Sequence, residues 1–408
     1  MSGGRPLRRT RGDLIATGAI AAVAVAAVAG VALTAPIRGS ELDPADTPHT
    51  AAPPPATVPE SLTPAWSLAD APLPGVHSPA TAEGLVITND GTTVTATDQA
   101  GESVWSYGRD REICSVGTAW NKVVVTYRSN AGCGDVVALS AATGGYSATR
   151  SAIASEEVVP VTSNDRVGTV STERVELWRS DLVRTVEYGE VEAKQEAGMQ
   201  PNEDCAITSA LTRTDLLAVS EDCPGDEGVT RLRLQEANPE DSREPEIIRD
   251  IAVEGDDARL VAVGQEAATV YVPGPEPTLV SYDADGLETE RRPVAPAPPA
   301  EETALPFTAA TADLPHHMTW FDGERLYLFT PAELTVDHVF EDALGTGVAV
   351  GGRLLYPTAE GIAVANWESG MVERVIPVDR AGHTGGVSLG LAGGTVVEKR
   401  GDEIVGLV

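Results

Sequence analysis

Between Thr93 and Gly108 the chain reads TVTATDQAGESVWSYG. Apolar and polar positions alternate, a turn falls at Asp98-Gln99-Ala100-Gly101, and a second short run ends around Trp105. Alternation with a period of two marks a strand that buries one face. The unit recurs: Val136–Arg150 reads VVALSAATGGYSATR, with the same strand, Ala-Thr-Gly turn and strand. Comparable runs occupy Val167–Tyr188, Thr230–Gln235, Leu260–Arg292, Met318–Phe340 and Val348–Val375, broken by Gly, Asp and Asn turns. No stretch after residue 35 holds a helical period of 3.6. Short, evenly spaced strands of this kind predict an all-β propeller.

The pattern also predicts how the ring closes. Pro64-Ala65-Trp66-Ser67-Leu68 resembles the outer run Ser103-Val104-Trp105-Ser106-Tyr107 but stands alone before the first full unit. At the other end, Val387–Val408 supplies three strands. The N-terminal run would complete that last blade and leave no open edge. This count gives an eight-bladed ring, or seven blades if Met318–Phe340 is not one.

The pattern breaks down at the N-terminus. Residues 1–13 form a basic tail carrying Arg5, Arg8, Arg9 and Arg11, and residues 14–35 are uncharged and apolar. About 20 apolar residues span a bilayer core as a helix. A basic flank stays cytoplasmic, so the rest of the chain is expected on the outer side. A cleaved signal peptide is the alternative, with Ala27-Val28-Ala29 as a small-x-small cleavage site. Residues 36–63 hold Pro44, Pro48, Pro53-Pro54-Pro55 and Pro59. This composition predicts an extended, disordered linker that holds the ring tens of Å off a membrane. The propeller domain is expected over residues 64–408.

Composition narrows the partners. The 61 acids against 29 bases leave a net charge of −32, which repels nucleic-acid phosphates. The acids are spread along the chain and read as a soluble surface. All four cysteines follow the apolar segment, on the side expected to be oxidising. Glu112-Ile113-Cys114 is followed by Cys133-Gly134-Asp135, and Glu203-Asp204-Cys205 by Cys223-Pro224-Gly225-Asp226. Each pair encloses one strand-like run. Two disulfides are expected, Cys114–Cys133 and Cys205–Cys223, each joining the start of one strand to the end of its antiparallel neighbour. A zinc site would need closer cysteine pairs or added histidines.

The string Thr95–Trp105 (TATDQAGESVW) resembles the repeat of the quinoprotein (PQQ-like) propeller superfamily, in which an Ala-x-Asp-x-x-x-Gly turn precedes a Trp that docks on the neighbouring blade. The chain also resembles a family of actinobacterial Ala/Val-rich membrane-anchored proteins. The superfamily resemblance implies a propeller over residues 64–408. It includes PQQ-dependent dehydrogenases and non-enzymatic scaffolds of the cell envelope. The enzymes use a calcium-bound cofactor, and many carry adjacent cysteines, which this chain lacks. Trp66, Trp105, Trp120, Trp178, Trp320 and Trp367 are therefore read as blade packing.

Three further motifs stand out. Gly386-Val387-Ser388-Leu389-Gly390 fits G-x-S-x-G but lies in a strand, where a nucleophile elbow needs a strand, turn and helix. Asp283-Ala284-Asp285-Gly286 is read as a turn rather than a calcium loop. The Pro-rich insertion Arg291–Pro315, closed by His316-His317, is the candidate partner contact. No catalytic, cofactor-binding or metal-ligating residues are assigned, and no cofactor is expected. The expected function is a membrane-anchored, extracytoplasmic scaffold or interaction module for an envelope protein or component, with no enzymatic activity. The alternatives are a quinone- or metal-dependent oxidoreductase, or a sensor of a small ligand in the propeller channel.

Overall fold

The computed structural model describes residues 9–299 and 305–408. Eight antiparallel sheets follow one another around a central axis. Their innermost strands are Ala80–Ala82, Ile113–Ala119, Val159–Thr162, Ala206–Arg213, Arg259–Val263, Ala310–Asp313, Val348–Val350 and Ser388–Ala392. We number the blades 1 to 8 in that order. The unit at Met318–Phe340 belongs to blade 6, so the count is eight.

Closure follows the expected route. Pro64–Ala69 pairs antiparallel with Glu403–Leu407 and forms the outer strand of blade 8. Thr63 and Val408 exchange two backbone hydrogen bonds of 2.8 and 3.0 Å. Lys399 Nζ meets the buried Asp70 carboxylate at 2.5 Å, and Asp70 also accepts from the Asn89 amide at 2.9 Å, so the seam is tied to blade 1.

Docking between blades explains the recurring turn. Trp105, on the outer strand of blade 1, is 1% exposed and donates its Nε1–H to Ala141 O of blade 2 at 2.7 Å. Its ring lies over Gly144, where an added Cβ would come within 2.8 Å. Trp66 of blade 8 treats Gly101 of blade 1 the same way and donates to Gln99 O at 3.0 Å. Both glycines sit at positive φ, 85° at Gly101 and 71° at Gly144, so the turn and the docked ring independently favour glycine. Elsewhere other side chains take the place. Ile251 lies over Gly286, His338 over Gly370, and in blade 3 Leu182 is buried beside Ala148.

The N-terminal helix runs Arg11–Thr34, starting before the apolar run because Thr10 and Asp13 form a capping box. It ends at Ala35, ahead of Pro36, whose ring disfavours a helical predecessor. It is long and apolar enough to cross a bilayer, and none of it is buried against the ring. Arg9 and Arg11 of the basic tail are described; Arg5 and Arg8 lie outside the described residues.

The expectation of a free linker over residues 36–63 is corrected. After a single 3-10 turn, Pro36–Gly39, the chain enters a strand, Ser40–Asp43, that adds a fifth strand to blade 1. Ser40 pairs with Arg109 and Leu42 with Tyr107. Beyond it, Ala45 and His49 donate backbone hydrogen bonds to Thr143 and Ala142 of blade 2. Ala51 and Ala52 lie against Gly84 and Gly393, and Thr57 and Val58 against Gly351. Val58 and Leu62 pack with the core of blades 7 and 8. The segment is a strap on the ring. The outer strand of blade 1 offers unpaired backbone groups, and pairing satisfies them. Proline-rich sequence between these contacts suits an extended path with few amide donors.

Both disulfides form, with Cα separations of 6.0 Å for Cys114–Cys133 and 4.2 Å for Cys205–Cys223. Cys205–Cys223 joins neighbouring strands at the paired ends Ala206 and Asp222, as expected. Cys114–Cys133 differs. It links the first and third strands of blade 2 across the second, because each cysteine sits at a register shift beside Tyr127–Ser129.

Candidate functional site: the axial chambers

Connections from the outer strand of one blade to the inner strand of the next all emerge on one face of the ring, here the crossover face. Hairpins between first and second strands emerge on the other, the hairpin face. Inner strands converge on the axis, so each face has a mouth there.

Two segments plug the axis on the crossover side. One is Leu73–Pro79, which leads into blade 1. The other is Leu305–Ala309, the end of the Pro-rich insertion. Phe307 N–H donates to Thr208 O at 2.7 Å, and the His77 ring nitrogen Nε2 lies 2.8 Å from Thr308 O. The insertion thus packs against the ring at both its described ends. Val294 and Ala297 pack with the core of blades 5 and 6, Ala297 N–H donates to Tyr271 Oη, and Arg325 donates to Pro296 O at 2.6 Å. Arg291–Pro315, expected as the partner contact, is therefore anchored on the ring at both described ends, with Arg291, Pro293, Ala295, Pro296 and Pro299 still exposed. Residues 300–304 lie outside the description.

Around this plug lie two chambers that share His77, Arg259, Phe307 and Thr308 in their walls. The larger has a volume of about 640 Å³ and is faced by Val159, Ile207 and Leu305. The smaller, about 250 Å³, is faced by Tyr271, Trp320 and Phe321. Cavities of ~300–1,000 Å³ with apolar walls and a few polar groups are the usual form of small-ligand sites. Arg259 stands at the junction with its guanidinium 5.3 Å from the Phe307 ring centre. Burial holds the pKa of His77 below the usual imidazole range, against the contrary pull of its bond to Thr308 O. His77 is therefore neutral at pH 7, and among the described residues Arg259 is the one cation in these walls.

The hairpin face has a different mouth. Its chamber of about 480 Å³ is faced by Thr81, Thr118, Thr162, Thr212 and Thr311, from the inner strands of five blades. Arg213 and Asp313 pair inside it at 2.8 Å. It offers hydroxyls and a neutralised ion pair among apolar residues such as Leu211, Val263, Met318 and Leu389.

Buried charges elsewhere are matched. Glu176 receives Arg150 and Arg184 at 3.3 Å, Arg174 at 2.5 Å and the Trp178 indole at 3.2 Å. Burial pulls its pKa up, yet the three guanidiniums outweigh it and hold the carboxyl below its ordinary range. Glu398 lies between Arg380 at 2.8 Å and Arg400 at 2.6 Å. Glu221 has Arg233 at 2.7 Å, and there burial wins, raising its pKa. Glu221 also adjoins Cys205 and Cys223, but both sulfurs are committed to their disulfide.

The remaining sequence motifs fall into structural roles. Asp283–Gly286 is a tight turn in which Gly286 N–H donates to Asp283 O at 2.9 Å. Ser388 opens the inner strand of blade 8, while His383 Nε2 faces Gly386 O at 3.2 Å. His317 pairs with Asp337 at 3.0 Å, and His316 tilts over Trp367. Trp320 stacks on Tyr327. Sequence reading missed Arg259. Its one signal was a lone cation opening an apolar run, Arg259-Leu260-Val261-Ala262-Val263.

No protein-family model matches the chain, and no curated protein matches its sequence. Among solved structures it is similar to BamB from Moraxella catarrhalis, at 13% identity and a TM-score of 0.50, over 85% of this chain and 99% of that one. It is also similar to the computationally designed Ika8 protein, at 13% identity and a TM-score of 0.52, over 85% and 98%. A quinohemoprotein alcohol dehydrogenase from Pseudomonas putida HK5 aligns at 12% identity and a TM-score of 0.49, over 85% and 76%. The likenesses to BamB and Ika8 bear on the fold alone and agree with the eight-bladed ring described above.

Proposed function

We propose that this chain is a membrane-tethered propeller that acts outside the cytoplasm as a non-enzymatic scaffold for an envelope component, with its crossover face held close to the bilayer. The observation that carries the reading is the short path between helix and ring. The helix ends at Thr34, and the strand that joins blade 1 begins at Ser40. At ~3.5 Å per residue that path reaches about 20 Å at most. Ser40 pairs with Arg109, at the end of the outer strand that leads into blade 2, so the tether meets the rim of the crossover face. Two disulfides favour an oxidising compartment for the ring. The fold shared with BamB is compatible with a scaffold role, but a fold does not carry a function.

The test is crosslinking of the tagged full-length chain in its native membrane, followed by identification of what co-purifies. The reading expects one reproducible envelope component crosslinked to the ring. Recovery of the ring without any such component would defeat it.

A further inference from the structure

The crossover-face chambers contain a charge that the rest of the molecule would not leave alone. Arg109, Arg150, Arg174, Arg213, Arg233 and Arg380 are each buried or half-buried, and each meets a carboxylate. Arg259 is half-buried, yet among the described residues no hydrogen-bond acceptor or carboxylate meets its guanidinium. The neighbouring acids do not fill the gap. Asp257, in the wall of the larger chamber, is exposed, and Asp322, in the wall of the smaller, is bound to Arg325 at 2.8 Å. In a chain of net charge −32, an unpaired cation facing two largely apolar chambers is a built receptor for one anion.

We propose that these chambers bind an amphiphile with a single acidic head and an aliphatic body, the head on Arg259 and the body along Phe307 and Trp320. The wall chemistry selects this class. One fixed cation matches one negative head. The neutral His77 adds no second charge, and the surrounding acidic surface disfavours polyanions. Val159, Ile207 and Leu305 face the larger chamber and suit a hydrocarbon. The mouth opens on the face whose rim lies six residues beyond the helix end. A bilayer would thus supply the ligand locally; this last point alone rests on the tethered reading above.

The test uses the full-length chain in nanodiscs of zwitterionic lipid, with empty nanodiscs correcting for partition. Binding of 9,10-dibromostearate is followed by quenching of tryptophan fluorescence, with Trp320→Phe identifying the reporter. Palmitate and palmitoyl-lysophosphatidate compete as carboxylate and phosphate heads, and hexadecanol serves as the neutral control. We expect saturable quenching that depends on Trp320, competition by at least one acid, and at least tenfold weaker binding in Arg259→Leu. Arg259→Lys should recover part of that loss. Near-UV circular dichroism checks that each variant stays folded. Hexadecanol competing as well as the acids, or Arg259→Leu binding like the unsubstituted chain, would overturn the proposal. A chain that binds the acids but recovers no envelope component would leave this site standing and remove the scaffold reading.

Discussion

Blades 8, 1 and 2 and blades 4, 5 and 6 are built from the same repeat but finished differently. At the seam, two indoles dock on glycine turns, the strap crosses from blade to blade, and Lys399 reaches Asp70. On the far side, Ile251 and His338 take the docking position, and the interior is filled by a returning insertion beside two chambers. The difference separates two demands. The seam must hold chain ends that no covalent bond joins, and it uses the largest apolar contacts available. The far side is held by continuous chain, so its docking contacts can be smaller and its interior can hold space and an unpaired charge.

Substitutions can break this comparison. Trp105→Ala should have the largest effect, about 3–5 kcal/mol in denaturant unfolding, since it removes a buried indole and its hydrogen bond together. His338→Ala, at the corresponding place between blades 6 and 7, should cost about 1 kcal/mol. Equal losses at the two positions would show that docking matters alike around the ring. Replacing Cys114 and Cys133 together by Ser should cost about 3 kcal/mol for a loop of this size. The same change should loosen blade 2 in hydrogen exchange and leave blades 5 and 6 protected.

The smallest effect concerns pH, and it contrasts two buried carboxylates. Glu176 is held below the ordinary range, so its contribution is present above the unfolded value of about 4.3 and is lost as pH falls through its lower folded value. Glu221 is held above that range because burial dominates. Its ionisation therefore lowers stability as pH rises from the unfolded value through the folded one. Glu221→Gln should gain on the unsubstituted chain as pH rises from 4 to 7. Glu176→Gln should lose most at neutral pH and approach the unsubstituted chain in acid. Unfolding midpoints across that pH range check both signs.

Much of the ring could be read from the chain because period-two alternation and Gly or Asp turns are local features. The N-terminal closing strand was legible because Trp66 repeats the setting of Trp105. Cysteine spacing gave the pairs, but not the path of Cys114–Cys133 across a strand, which depends on two register shifts. The strap was not legible. Leu42, Val58 and Leu62 are too sparse to show a period, and their contacts lie on distant blades. Arg259 was hidden for a related reason. Its missing partner is a property of the folded walls, and an arginine in sequence does not reveal whether a carboxylate will arrive.

The central claim is that the strap holds the ring at the membrane, where the sequence suggested a long spacer. Spin labels on the crossover-face rim near Asp110 and on the hairpin face near Asn164, with depth-dependent relaxation in nanodiscs, measure it most directly. The account predicts that the Asp110 label lies within about 20 Å of the bilayer boundary, and that Leu42→Asp, by freeing the edge strand, moves it outward. A label near Asp110 that already stands farther off in the unsubstituted chain, with no change in Leu42→Asp, would contradict it.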